Sequence, residues 1–300
     1  MNKNIKITFS IILSFIISVS SLFIFSSCKN KDDEKIKVYM TETNKVETLK
    51  LNEYLCGVVA AEIGPSAPIE TLKAQAILAR TFTIDFIINN KSKYEDADIS
   101  DDITEAQAYN KSLINSNIKK AVKETDGLII KYNQEPIKAW FHSNSGGKTA
   151  FYNEVFGLNN EDYPYLKSVE TFEKSTLEKW TANFTKSEIL NALRNMGQSV
   201  SNISNITKGE VGQSGRVITF LIGGKEVSAN TLRINLGSTK LKSTLIDSIE
   251  LSDNNVIFTG YGYGHGVGLD QEYSIYLANQ DYKYSDIIKY FFKDVTIEQY

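Results

Sequence analysis

A glutamate closes the apolar run GVVAAE at residues 57–62, and a Gly-Pro break separates it from IETLKAQAILARTF. Leu51, Leu55, Val58, Val59 and Glu62 recur at i, i+4, i+7, i+8 and i+11, one face of a helix predicted over Asn52–Ile63. The carboxylate thus falls on an apolar stripe in the last turn, where burial and the helix C-terminus both disfavour its charge. A carboxylic acid that keeps its proton is what a general acid needs in glycoside cleavage. The plainer alternatives are a side chain turned to solvent at a frayed helix end, or an ion pair with Lys73 or Arg80. Those two cations stand seven residues apart on one stripe of the next helix. They suit an anionic substrate group close to the acid, although a solvated helix face is the commoner origin of such a pair.

Two glycine-rich stretches carry the remaining candidates. In AWFHSNSGGKT (residues 139–149), His142, Ser143 and Ser145 precede Gly146 and Gly147, which let backbone N–H groups approach a ligand. A serine–histidine nucleophile is not supported: no Gly-x-Ser-x-Gly elbow is present and no acidic partner can be assigned. Taken alone, the stretch reads as a turn. In GYGYGHGVGLDQ (residues 260–271), glycines surround His265, with Tyr263 and Gln271 on either side, and leave room for something bulky such as a sugar ring. A tight turn about a structural histidine is the alternative. The Gly-x-Gly spacings here lack the strand–turn–helix unit of a dinucleotide site. Cys28, Cys56, His142 and His265 have no zinc-ligand spacing, so no metal, no other cofactor and no disulfide are expected.

The elements that must position these residues are mixed in order. IKVYM from Ile36 predicts a strand, and Pro68 opens a helix of about twenty residues. Ser116–Thr125 predicts another, with Ser116 as N-cap. GLIIKYNQEPIKAWFHS reads as two strands about a turn, Thr185–Glu188 as a capping box before ILNAL, and GRVITFLIGGKEV as a hairpin about Gly223-Gly224. NVIFTG is the last strand expected, followed by helices near Gln271–Asn279 and Ser285–Phe292. Helices early and late with strands between give an α+β fold. A two-lobe layout fits, but composition marks no boundary. The 300 residues, 42% of them hydrophobic, suffice for a sizeable core. Interspersed charges, 33 basic against 36 acidic, exclude the basic footprint of a nucleic-acid binder.

Ile7–Cys28 holds 22 residues without a charge, long enough to cross a bilayer at ~1.5 Å of rise per residue. Preceded by Lys3 and Lys6, residues 1–28 predict an N-terminal anchor in the cell membrane with the body outside the cytoplasm. A cleaved signal peptide with a lipid on Cys28 of IFSSC is the alternative. Residues 29–35 form a charged linker, and 36–300 the ectodomain.

Six segments, in order, resemble the stage II sporulation protein D family, peptidoglycan lytic transglycosylases related to amidase enhancers. They are EYLCGVVAAEIGPSAPIETLKAQAILARTF, EAQAY, AVKETDGLIIKYNQEPIKAWFHSNSGGKT, SGRV, TLRINLG with LKST, and GYGHGVGLDQ, covering most of residues 48–295. The resemblance implies that Glu62 is the catalytic acid of a Val-Val-Ala-x-Glu motif. It also implies a glycan cleft formed by Lys73, Gln75, Arg80, His142, Ser143, Ser145, Gly146, Gly147, His265 and Gln271, which Tyr263 joins. Two departures stand out: Ile63-Gly64-Pro65 replaces the family's Met-Pro, and LDQEYS (269–274) replaces Met-Ser-Gln-x-Gly-Ala.

The implied reaction cuts between N-acetylmuramic acid and N-acetylglucosamine and leaves a 1,6-anhydro product. Ordinary glycoside hydrolysis needs a second carboxylate, and none with placement comparable to Glu62 is evident. Here the substrate's own 6-hydroxyl supplies the nucleophile. Implied partners are peptidoglycan glycan strands, an amidase or endopeptidase, and a membrane partner in a forespore engulfment complex. A non-catalytic, glycan-binding enhancer of a cell-wall amidase is the rival reading. A small-molecule-binding surface lipoprotein is a third, and it leaves the six motifs unexplained.

Overall fold

The computed structural model describes residues 34–157, 163–173 and 176–300. The apolar run 7–28 and most of the charged linker lie outside them. Among the described residues no helix is long and apolar enough to cross a membrane.

Strand β1 (Lys35–Met40) pairs antiparallel with β2 (Lys45–Lys50), which runs straight into helix α1 (Leu51–Glu62). After Gly64, at φ +82°, the chain enters α2 (Ile69–Asn89) and then β3 (Ile99–Ser100), parallel to β1. Helix α3 (Ser116–Glu124) is capped not by Ser116 but by Asn115, whose side chain accepts the Ile118 N–H at 2.9 Å. β4 (Leu128–Tyr132), β5 (Glu135–Pro136), β6 (Phe141–His142) and the short α4 (Asn153–Phe156) follow.

Residues 180–258 then build a core of their own. It comprises β7 (Trp180–Thr185), α5 (Lys186–Asn195), β8 (Ile206–Lys208), β9 (Thr219–Ile222), β10 (Lys225–Ser228), α6 (Ala229–Asn235), β11 (Ile246–Leu251) and β12 (Asn255–Gly260). The capping box forms as expected, Thr185 and Glu188 each accepting the other's backbone N–H. Gly223 and Gly224 both have positive φ, the requirement of a type I′ turn between β9 and β10. NVIFTG is β12 but not the last strand. β13 (Leu269–Asp270) pairs parallel with β6, α7 (Gln271–Asn279) and α8 (Tyr284–Phe291) follow, and β14 (Thr296–Gln299) returns to pair with β4.

Residues 35–300 form one compact unit with three buried apolar clusters. Helix α2 belongs to two of them. Leu72, Ala76 and Ala79 pack among β1, α1 and α3, whereas Ala74, Ile77 and Leu78 pack with β4, Val267 and α8. A helix buried on opposite sides needs apolar residues all round, and so carries no single stripe. α1 is similar: Tyr54, Leu55, Cys56, Gly57, Val58, Val59 and Ala60 are all buried. That leaves its last residue, Glu62, as the one acidic group at the inner end of an apolar helix.

Candidate active site

Glu62 is half-buried, and one carboxylate oxygen accepts the Ala108 N–H at 2.8 Å. The Gln271 side chain donates to the same carboxyl, yet burial outweighs both donors and raises the pKa above the usual glutamate value. Ala108 reaches Glu62 because its segment lies flat on α1. The Asn110 N–H donates to the Gly57 carbonyl at 3.0 Å, and the Tyr109 ring covers Gly57, where a Cβ would stand 2.1 Å from a ring carbon. Tyr109 in turn stacks on Tyr54, with ring centroids 5.8 Å apart. Tyr54 is wholly buried, and burial together with Glu62 drives its pKa far up, so it stays a neutral phenol. From the other side, Gln271 at the start of α7 donates to Gln75 of α2 at 3.4 Å. Glu62, Gln75 and Gln271 thus meet from three helices.

Lys73 and Arg80 do not join them. Arg80 is 1% exposed and gives Nη1 to the carbonyls of Thr125 (2.7 Å) and Leu128 (3.1 Å), and Nη2 to Asn52 Oδ1 (3.1 Å) and the Val122 carbonyl (3.4 Å). Lys73 pairs with Glu70 at 3.1 Å and Glu124 at 2.8 Å. The spacing does place both on one face of α2, but that face meets the C-terminal end of α3, whose last carbonyls need donors. Arg80 is a buried structural cation, not a group open to substrate.

The two histidines both bind the backbone of Val267. His142 Nδ1–H donates to the Val267 carbonyl at 3.1 Å, and the Val267 N–H donates to His265 Nδ1 at 3.1 Å. Burial lowers both pKa values, that of His265 to about 3, so both rings are neutral at physiological pH. His142 thus ties the two glycine-rich stretches together, whereas His265 bonds within its own stretch and meets the other through ring contacts with Trp140 and His142. Ser145 is also internal: its N–H donates to Asp270 at 2.7 Å and its hydroxyl pairs with Thr171 at 2.6 Å. Ser143 offers its carbonyl to the Glu272 N–H at 3.0 Å. Gly146 and Gly147 turn the loop at φ +76° and +108°, and a Cβ on Gly146 would stand 2.6 Å from Leu245.

Sequence reasoning assigned no role to Asp270 or Arg216. Asp270 is fully buried as the N-cap of α7, accepting the N–H groups of Tyr273 (2.9 Å) and Ser145 (2.7 Å), and burial raises its pKa to about 6. An aspartate immediately before the helix at Gln271 was the available signal. Arg216, from SGRV, reaches out of the 180–258 segment to the carbonyls of Lys148 (2.9 Å) and Ser145 (2.5 Å). Gly266 must be glycine there, since a Cβ would stand 2.3 Å from the guanidinium carbon.

These loops border a cavity of about 630 Å³ whose walls include Asn144, Phe172, Trp180, Lys242, Tyr263 and Glu272. Asn144 and Tyr263 exchange backbone hydrogen bonds of 2.9 and 2.8 Å, which joins the two glycine-rich stretches at the rim. Gln271 touches the acid and Glu272 lines the cavity. Consecutive Cα atoms lie about 3.8 Å apart, so the first turn of α7 connects the two.

Residues 39–132 match a family described as stage II sporulation protein, and residues 163–268 match a domain of unknown function, DUF8618. Stage II sporulation protein D of Bacillus subtilis is 32% identical over 284 residues, covering 88% of this chain and 79% of its own length. The chain belongs to the stage II sporulation protein D family. The Bacillus amyloliquefaciens protein of that name is also 32% identical over 284 residues, covering 88% of this chain and 78% of its own. An amidase enhancer of Bacillus subtilis is 25% identical over 298 residues, 82% of this chain and 40% of its own. The site of this family member is drawn from several stretches. Glu62, Gln75 and Ala108 lie in the first matched region, Arg216 and Lys242 in the second, and Gln271 beyond both.

Proposed function

We propose that this protein acts in sporulation by cutting peptidoglycan glycan strands between N-acetylmuramic acid and N-acetylglucosamine, as a lytic transglycosylase. The observation that carries the reading is Glu62: a sheltered carboxyl with raised proton affinity, held by the Ala108 amide and the Gln271 side chain. In its protonated form Glu62 gives its proton to the glycosidic oxygen as the bond to C1 breaks. The two donors then stabilise the carboxylate that remains. That carboxylate takes the proton of the muramic acid 6-hydroxyl, whose oxygen closes on C1 and forms the 1,6-anhydro ring. One group thus serves as acid and then base, and its proton is restored for the next turnover. Asp270 does not supply a second catalytic carboxylate, since both its oxygens are occupied by backbone N–H groups. An anchored position at the cell membrane, with residues 36–300 outside the cytoplasm, accompanies this role. So do an amidase or endopeptidase partner and a membrane partner.

The similarity to an amidase enhancer favours one rival, a glycan-binding protein that presents strands to an amidase. Incubating the purified full chain with glycan strands, with and without an amidase, and identifying strand ends by mass spectrometry separates the two. Anhydromuramic ends are expected from the chain alone, and Glu62→Gln should lower their yield at least about 10²-fold while keeping its circular dichroism. Faster amidase release with no anhydro ends at any time would identify an enhancer instead.

A further inference from the structure

The motifs TLRINLG and LKST, which the acid does not need, converge on Lys242. Buried Arg233 donates Nε to the Lys242 carbonyl at 3.1 Å, and the Gly264 N–H donates to the same oxygen at 2.9 Å. The next residue, Ser243, donates its hydroxyl to the Tyr261 carbonyl at 2.5 Å. The backbone of Lys242 is therefore pinned to the glycine-rich stretch that also carries Tyr263. Its side chain is half-buried and lines the 630 Å³ cavity, with Nζ 5.8 Å from the centre of the Tyr263 ring. Among the described residues it has no carboxylate partner. The neighbouring cavity cation, Lys179, is by contrast paired with Asp247 at 2.7 Å, and Glu272 accepts from the Asn144 side chain. Glu178 and Glu272 also line the cavity but neither is ion-paired with Lys242, so its ammonium, resting against an aromatic wall, can meet an arriving anion without first breaking a salt bridge. The cavity volume lies within the ~300–1,000 Å³ of ordinary ligand sites, and an aromatic ring beside the cation suits the apolar face of a sugar.

We infer that Lys242 reads a carboxylate on the bound glycan, and so distinguishes sugar units that carry an acidic substituent from those that do not. The inference rests on the glycan-cleaving reading and names its specificity residue. The carboxylate has two sources of the same chemistry: the lactyl ether of muramic acid where no peptide is attached, or the stem peptide where one is. Arg233 acts through Lys242 as a positioning residue, and Tyr263 forms the wall against which the ammonium rests.

The test is calorimetric binding to the full-length chain carrying Glu62→Gln, which prevents turnover, with three glycans of equal length. One is an uncharged N-acetylglucosamine oligomer, one a peptide-free alternating glycan, and one the same glycan with stem peptides. Tighter binding of a carboxylate-bearing glycan over the uncharged oligomer, by about 10-fold, is expected and should shrink with added salt. Whether the peptide-free or the peptide-bearing strand shows it identifies the source. Adding Lys242→Gln should reduce the ratio to about 1, and Lys242→Arg should retain most of it. A Lys242→Gln chain that is folded and keeps the preference overturns the assignment while leaving the glycan reading intact. Failure of all three glycans to bind the Lys242-bearing chain overturns both.

Discussion

Glu62 and Arg80 stand on adjacent helices, both drawn away from water, and what their neighbours offer sets their chemistry apart. Arg80 meets three backbone carbonyls and an asparagine oxygen. Burial lowers its pKa only to about 10, so it remains a cation at neutral pH. Glu62 meets two donors against a larger desolvation penalty, and its pKa rises. Arg80→Met should therefore cost about 2–4 kcal/mol in urea unfolding, because it strands buried carbonyls. The rate of anhydro-product formation per folded molecule should stay the same; a loss of rate without a loss of stability would return Arg80 to the substrate. The sequence made the position of Glu62 legible because an acid on an apolar stripe conflicts with burial wherever the stripe faces. It left Arg80 ambiguous, because a seven-residue spacing reports that two side chains share a face and not what the face meets.

Helix α1 positions the acid through a contact between elements. Gly57 admits the Tyr109 ring, and the ring's segment then delivers the Ala108 N–H to Glu62 about 1.4 helical turns further on. Gly57→Ala should push that segment outward, at about 1–3 kcal/mol in stability and a fall of about 10-fold in turnover. Stability and steady-state assays on the same preparation check this, and unchanged turnover would mean that Ala108 does not matter to the acid. Elements fixed by local chemistry were readable in advance, among them the Thr185–Glu188 box and the Gly223-Gly224 hairpin. β13 and β14 were not, since each is defined by a partner strand more than a hundred residues away, and two residues or a polar edge carry no periodic signal.

The shelter around Glu62 belongs to the molecule as a whole. Tyr54, Gln75, Ala108 and Gln271 come from separate segments, and none surrounds the carboxyl until the chain has folded. The six motifs named most of these residues, but only the fold shows that Gln271 reaches the acid while His142 and His265 serve the loops. Because the folded pKa lies above the unfolded one, charging Glu62 opposes folding. Its unfavourable contribution is absent below the unfolded pKa and grows as pH rises through the folded one. The direct measurement is a carbon-13 NMR titration of the glutamate carboxyls, taken as the difference between the wild-type chain and Glu62→Gln, folded and in urea. A folded midpoint for Glu62 clearly above about 4.3, returning to about 4.3 when unfolded, is expected. A folded midpoint at or below that value would contradict a sheltered acid at position 62.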